Sequence, residues 1–146
     1  MRAFATGLFK TTSRLSSRLE PTNYVSAHFT FSKDRFRLIN VYLNEFFNFY
    51  ANQEKLKTAL FITSMFDILI PERFADEHLF NFLLENLRYL KKEKKWLHTI
   101  AAAFKLLFIG KFLQLLGYLN ESDLKDQKSL VPKIKQTIRK IVLNLA

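Results

Sequence analysis

Side chains able to carry out covalent or metal chemistry are sparse in this 146-residue chain. His28, His78 and His98 stand far apart, with no i, i+4 partner and no Asp or Glu at ligand spacing. No metal site is therefore expected. Cysteine is absent, which excludes a thiolate zinc site, a disulfide framework and a cysteine nucleophile. Ser13, Ser16 and Ser17 have no G-x-S-x-G context, and there is neither a P-loop nor a G-x-G-x-x-G run. Asp76-Glu77 reads as the start of a helix, while Asp67, Glu72 and Glu85 fit solvated faces. The chain is accordingly expected not to be an enzyme and to carry no cofactor.

Cations are the informative residues. Lys and Arg number 23 against 13 Asp and Glu, a net charge of +10. The first 18 residues hold Arg2, Lys10, Arg14 and Arg18 and no acid, and Arg35 and Arg37, two apart on an expected strand, share a face. Phe4, Phe9, Tyr24, Phe29, Phe31 and Phe36 are interleaved with them. Cations that neutralise phosphates beside rings that stack on bases are the physical recipe for a nucleic-acid surface. The plainer alternative is that half of these rings are core and the charges only solubilise. A third reading treats the first twenty residues, Arg-rich and Ser/Thr-rich with a single acid at the end, as an organellar transit peptide.

The elements that must position these groups follow from periodicity. Asn23 to Phe31 alternates, with Val25, Ala27, Phe29 and Phe31 on one face and Tyr24, Ser26, His28 and Thr30 on the other, the mark of a half-buried strand. Ser32-Lys33-Asp34 is the turn, and Arg35 to Val41 alternates again, completing a hairpin. Ala3 to Phe9 is a possible earlier strand, and Thr11 to Ser17 is loop-like.

From Asn44 onward the spacing turns helical. Gln53 to Ile70 carries the stripe Leu56, Leu60, Phe61, Met65, Phe66 and Leu69, stopped by Pro71. Asp76 caps a helix running to about Lys92, with Leu79, Phe80, Leu83, Leu84, Leu87 and Leu90 inward and a lysine-rich tail at its negative end. Trp96 to Leu116 is apolar nearly all round and is expected at the centre of the bundle, with Gly117 supplying a left-handed C-cap. Lys105, Lys111 and Gln114 interrupt its apolar run, so it reads as a core helix, since a membrane span needs roughly 20 apolar residues. After a polar stretch from Asn120 to Ser129, Val131 to Leu145 forms a last amphipathic helix with Ile134, Ile138, Ile141, Val142 and Leu145 inward.

Three stretches, in order, resemble the RecO family of bacterial recombination mediators. Ala5-Thr6-Gly7-Leu8-Phe9-Lys10-Thr11-Thr12-Ser13-Arg14-Leu15, followed by Leu19-Glu20-Pro21, is similar to that family's A-K-G-x-R-x-x-K-S-R-L segment and its L-x-P. Lys57 to Asp67 with Leu79 to Leu84 is like the first helices of the helical domain. Phe104-Lys105-Leu106-Leu107, leading into Leu115-Leu116-Gly117-Tyr118, is like the helix that ends in the family's L-G-Y. The succession runs from about residue 3 to residue 119, although each motif by itself is short and degenerate.

The resemblance implies an N-terminal OB-fold that binds single- and double-stranded DNA, a C-terminal helical domain, strand annealing and recombinase loading in homologous recombination and DNA repair. It implies RecR and the acidic, hydrophobic C-terminal tail of single-stranded-DNA-binding protein as partners, no membrane, and a bacterial, cytoplasmic, nucleoid-associated location. It also speaks against the transit peptide, because Gly7 and Arg14 gain strand and loop roles.

Departures from the family are specific. The chain starts at what looks like the third barrel strand, so the first two strands are expected to be missing, through a start codon placed too late, a gene fragment or an open barrel. Thr6, Phe9 and Thr12 stand where cations are usual, which leaves Lys10 and Arg14 as the carried-over contacts and weakens the expected DNA affinity. The four-Cys zinc segment of many members is missing.

The expected fold is therefore α+β, mostly α: a partial OB-fold-like β region over residues 1–43, then an antiparallel helical bundle over residues 44–146. Arg2, Lys10, Arg14, Arg18, Arg35 and Arg37 are the expected phosphate contacts, and Tyr24 and Phe36 the expected stacking rings. Lys105 and Lys111 are the expected partner contacts, with snorkelling from a buried helix as the competing account. The alternative function is a helical protein–protein adaptor without DNA binding.

Overall fold

The computed structural model of the chain describes residues 19, 22–32, 35–70, 76–125 and 130–137. Two strands, β1 (Tyr24–Ser32) and β2 (Arg35–Glu45), are followed by helices α1 (Gln53–Leu69), α2 (Glu77–Lys92), α3 (His98–Leu115) and the short α4 (Glu121–Lys125); residues 130–137 are also helical. The class is mixed α+β and mostly helical, with a two-stranded antiparallel sheet ahead of the helices. The expected strand at Ala3 to Phe9, the turn residues Lys33 and Asp34, Pro71 and the last helix beyond residue 137 lie outside the described residues. By compactness the chain divides into Met1–Lys95 and Trp96–Ala146. The sequence division at residue 43 instead follows the change from strand to helix period.

In the first unit the hairpin is built around an irregularity. His28 pairs with Asn40 and Phe29 with Leu38, so Ile39 is an extra residue in β2. The sequence shows why: the apolar positions of β2 are Phe36 and Leu38, then Val41 and Leu43. A regular strand would put these two pairs on opposite faces. One inserted residue re-phases the strand, so that Phe36 and Leu38 join Val41 and Leu43 opposite Phe31, Phe29, Ala27 and Val25. The Oδ1 of Asn40 accepts the Val41 N–H at 2.8 Å beside the bulge.

That apolar face is closed only in part. Val41 is fully buried, whereas Phe29 and Phe31 are 41% and 62% exposed. Phe47 and Phe49, stacked with centroids 6.0 Å apart, continue the core toward α1 and α2. Asn52 caps α1 by accepting the Lys55 N–H at 3.0 Å, and Asp76 caps α2 by accepting the Leu79 N–H at 3.0 Å. Helix α2 buries Leu79, Leu84, Leu87 and Leu90, each worth about 1.5–3 kcal/mol of transfer free energy.

Two expectations about inward faces are corrected here. Helix α1 buries Thr58, Ala59 and Ile62, not the expected stripe, and Leu60 is exposed. Apolar residues lie on several sides of α1, so spacing did not single out a face. Thr58 tolerates full burial because its hydroxyl donates to the Glu54 carbonyl at 2.7 Å. On α2, Phe80 is exposed and packs edge-on against Tyr24 with centroids 5.4 Å apart.

The second unit centres on α3 and its neighbours. Phe104, Phe108 and Phe112 stack at every fourth residue, with Trp96 edge-on to Phe104 at 5.3 Å. Gly110 allows a close approach: a Cβ there would stand 3.0 Å from the Leu124 side chain. Gly117 takes φ +79°, and the N–H groups of Gly117 and Tyr118 bond the carbonyls of Gln114 and Leu113, a Schellman cap. The stretch expected to be a polar connection instead holds α4, where Asp123 reaches back to the Asn120 N–H at 3.0 Å.

Helix α3 is not buried on every side. It buries Ala101, Phe108, Gly110, Phe112 and Leu113, whereas Ile100 and Leu107 are 40% and 65% exposed. Among the described residues it is the one helix long and apolar enough, by length and composition, to cross a membrane.

Candidate nucleic-acid interface

Alternation and the bulge together decide which side chains share the polar face of the hairpin. On β1 this face carries Ser26, His28 and Thr30, all exposed. Their partners on β2 are Tyr42, Asn40 and Arg37. Without the extra residue at Ile39, Arg37 would share a face with Val41 and Leu43. With it, Arg37 lies exposed beside Thr30, and the rings of His28 and Tyr42 meet edge-on with centroids 5.2 Å apart. Tyr42 is 49% exposed, so ring surface is open to solvent. At the base of the hairpin the Asn44 side chain donates to the Ser26 hydroxyl at 2.8 Å.

Arg37 puts an exposed cation on this face. Glu45 is the only acid of the two strands, and it is tied down at their base. Its carboxylate accepts Arg88 Nε at 2.8 Å and pairs with Lys91 Nζ at 3.5 Å. Burial pushes the Glu45 carboxyl up, but the hydrogen bond and charge of Arg88, and then Lys91, outweigh it and hold it below its usual range. Lys91 also donates to the Phe46 carbonyl at 3.0 Å and lies 5.2 Å from the Phe47 ring centroid.

The sequence-predicted residues fall into three groups. Arg2, Lys10, Arg14 and Arg18 lie outside the described residues. Arg37 stands on the polar face, while Phe36, its chain neighbour, points to the apolar face and packs on Phe31 at 5.0 Å. Arg35 pairs through its backbone with Ser32 at the hairpin tip, and Tyr24 is half-buried against Phe80. The structure thus does not gather Tyr24, Phe36 and Arg37 on one surface. Lys105 is half-buried and Lys111 exposed, with Lys111 Nζ donating to Gln114 Oε1 at 2.8 Å. Six residues apart on a helix, the two lysines point about 120° apart.

His28 and Tyr42 were not singled out from sequence. The signal that marks them is the apolar spacing of β2, whose break between Leu38 and Val41 announces the bulge and therefore the face on which Tyr42 falls.

A second feature of the same unit is apolar. A cleft of about 570 Å³ is lined by Phe66, Ile70, Leu79, Phe80 and Leu83 with Asp76 and Glu77. Phe80 and Leu83 also line a smaller one of about 230 Å³ together with Tyr24 and Val25. Among the described residues no group of three or more His, Asp or Glu side chains converges on a metal position. No family model, curated protein or solved structure matches the chain.

Proposed function

We propose that this chain is a binding module for nucleic acid, with the polar face of the β1–β2 hairpin as its contact surface. The observation that carries the reading is the exposed face bearing Arg37, His28 and Tyr42, with the one strand acid, Glu45, paired to Arg88 and Lys91 at its base. The net charge of +10 adds long-range attraction for a polyanion.

Within that reading the resemblance to RecO supplies the role: a DNA-repair protein that binds single- and double-stranded DNA, anneals strands and helps load recombinase. RecR and the tail of single-stranded-DNA-binding protein would be its partners in the bacterial cytoplasm, and no catalytic step is required of it. Lys10 and Arg14 belong to the same proposal as phosphate contacts.

The test is binding to labelled DNA across a salt series. The full chain should bind with log K falling linearly in log salt, and Lys10→Ala with Arg14→Ala should lower both affinity and slope, each lost phosphate contact removing about 0.7–0.9 from the slope. Absence of binding at low salt would reject the reading.

A second reading, a helical adaptor without DNA binding, is favoured by the cleft around Phe80, an apolar surface of a size that accommodates a partner's side chains. It predicts no DNA binding at low salt and loss of partner capture on Phe80→Asp.

A further inference from the structure

Resting on the nucleic-acid reading, we infer that Tyr42, braced by His28, is the base-stacking element of the hairpin and that Arg37 is a separate phosphate contact on the same face. This ring pair differs in position and chemistry from Tyr24 and Phe36. Tyr24 already spends its ring on Phe80, and Phe36 packs on Phe31 across the apolar face. Tyr42 is the tyrosine of the two strands that combines an exposed ring with a place on the face that carries Arg37.

The geometry supports a division of labour. Tyr42 sits opposite Ser26, and Arg37 opposite Thr30. Four residues of β1 separate those positions, about 13 Å at the rise of an extended strand. That interval holds a few nucleotides of an extended single strand, so one base can lie on the Tyr42 ring while a phosphate further along meets Arg37. His28 meets Tyr42 edge-on at 5.2 Å, and at 49% exposure the residue keeps ring surface open to solvent. The short side chains of Ser26 and Thr30 leave the approach open and offer hydroxyls to the sugar-phosphate backbone. A base within a duplex has both π-faces occupied by its neighbours, so this contact rewards unpaired bases.

Stacking and charge neutralisation differ in salt dependence, and that difference separates the two residues. The probe is a fluorescent oligodeoxythymidine of about 20 nucleotides, longer than a typical single-domain site, compared with the same strand annealed to oligodeoxyadenosine. Tyr42→Ala should weaken binding to the single strand about 5- to 150-fold while leaving the salt slope unchanged and weakening duplex binding less. Tyr42→Phe should restore the affinity, because the ring and not the hydroxyl is required. Arg37→Gln should lower the slope by about 0.7 on the single strand.

Equal single-strand affinity for Tyr42→Ala and Tyr42→Phe would overturn the inference while leaving salt-dependent binding, and so the broader reading, intact. Failure of the unmodified chain to bind either probe at low salt would remove both. Should Tyr42→Ala lose its circular dichroism signal, Tyr42→Leu, which keeps apolar bulk without a π-face, decides the point: loss of single-strand preference supports the inference, and retention overturns it.

Discussion

Helices α2 and α3 have similar length and are both rich in leucine, yet they achieve burial differently. In α2, Leu79, Leu84, Leu87 and Leu90 are buried on one side, and Glu85, Arg88, Lys91 and Lys92 occupy exposed positions. Asp76 caps it and Arg88 anchors it to Glu45. Helix α3 is more apolar, begins at Leu97 with no side-chain cap, and leaves Ile100 and Leu107 open. What specifies a buried face is contrast between sides of the helix, and total hydrophobicity does not supply it.

The sharpest test of that contrast pairs one leucine from each helix. Leu90 is fully buried, so Leu90→Ala should cost about 2–5 kcal/mol in transfer and cavity terms. Leu107, 65% exposed, should change stability by no more than about 0.5 kcal/mol on truncation to Ala. Urea unfolding of the two variants reads the difference directly. Equal losses would mean that α3 buries its Leu107 side as fully as α2 buries its own, and the comparison would break.

The same contrast explains what was legible in the sequence. Helix α2 could be read closely from its spacing, and Asp76 and Gly117 each fill the capping place that their chemistry predicts. Helix α1 offered apolar residues on several sides, and its true inner face includes Thr58, a polar residue whose burial depends on a hydrogen bond within the helix. Helix α4 escaped notice because its five residues are too few to display a period. The hairpin was legible as two strands, but the bulge at Ile39 redistributes β2 between the faces, so the stacking residues named from sequence fell on different surfaces. A one-residue irregularity reverses every later assignment in a strand, which makes the candidate site harder to read than the fold.

Ends of helices give the next, smaller effects. Gly117 holds φ +79°, where an L side chain meets its own backbone, so Gly117→Ala should cost about 1–2 kcal/mol. No atom lies within 4 Å of the added Cβ, so the cost is conformational, not a clash. Asp76→Ala should remove about 1 kcal/mol by orphaning the Leu79 N–H. The reciprocal change on α3, Leu97→Asp, should add several tenths of a kcal/mol, since it supplies the missing cap and a negative charge at the positive end of the helix. Thermal unfolding that shows no gain for Leu97→Asp would mean that the start of α3 is satisfied by other means.

The smallest expected effect concerns the tie between α2 and the hairpin. Arg88 and Lys91 hold the Glu45 carboxyl below its ordinary range. A carboxyl with a lowered folded-state pKa binds fewer protons when folded than when unfolded, so its contribution is fully present above the ordinary glutamate value and fades as pH falls through the lowered one. The pair is partly exposed, with side-chain accessibilities of 47% for Arg88 and 21% for Glu45, and pairs of this kind are worth about 0.2–1 kcal/mol. Unfolding free energies measured from neutral pH downward should therefore show Glu45→Gln losing this increment at neutral pH and converging with the unmodified chain in acid. The gap should also shrink in high salt. Helix α3 offers an internal control, because Lys111→Gln breaks only a neutral acceptor contact with Gln114 within the same helix and should leave the acid profile unchanged. A Glu45→Gln profile parallel to that of the unmodified chain at every pH would show that Glu45 positions α2 by packing alone.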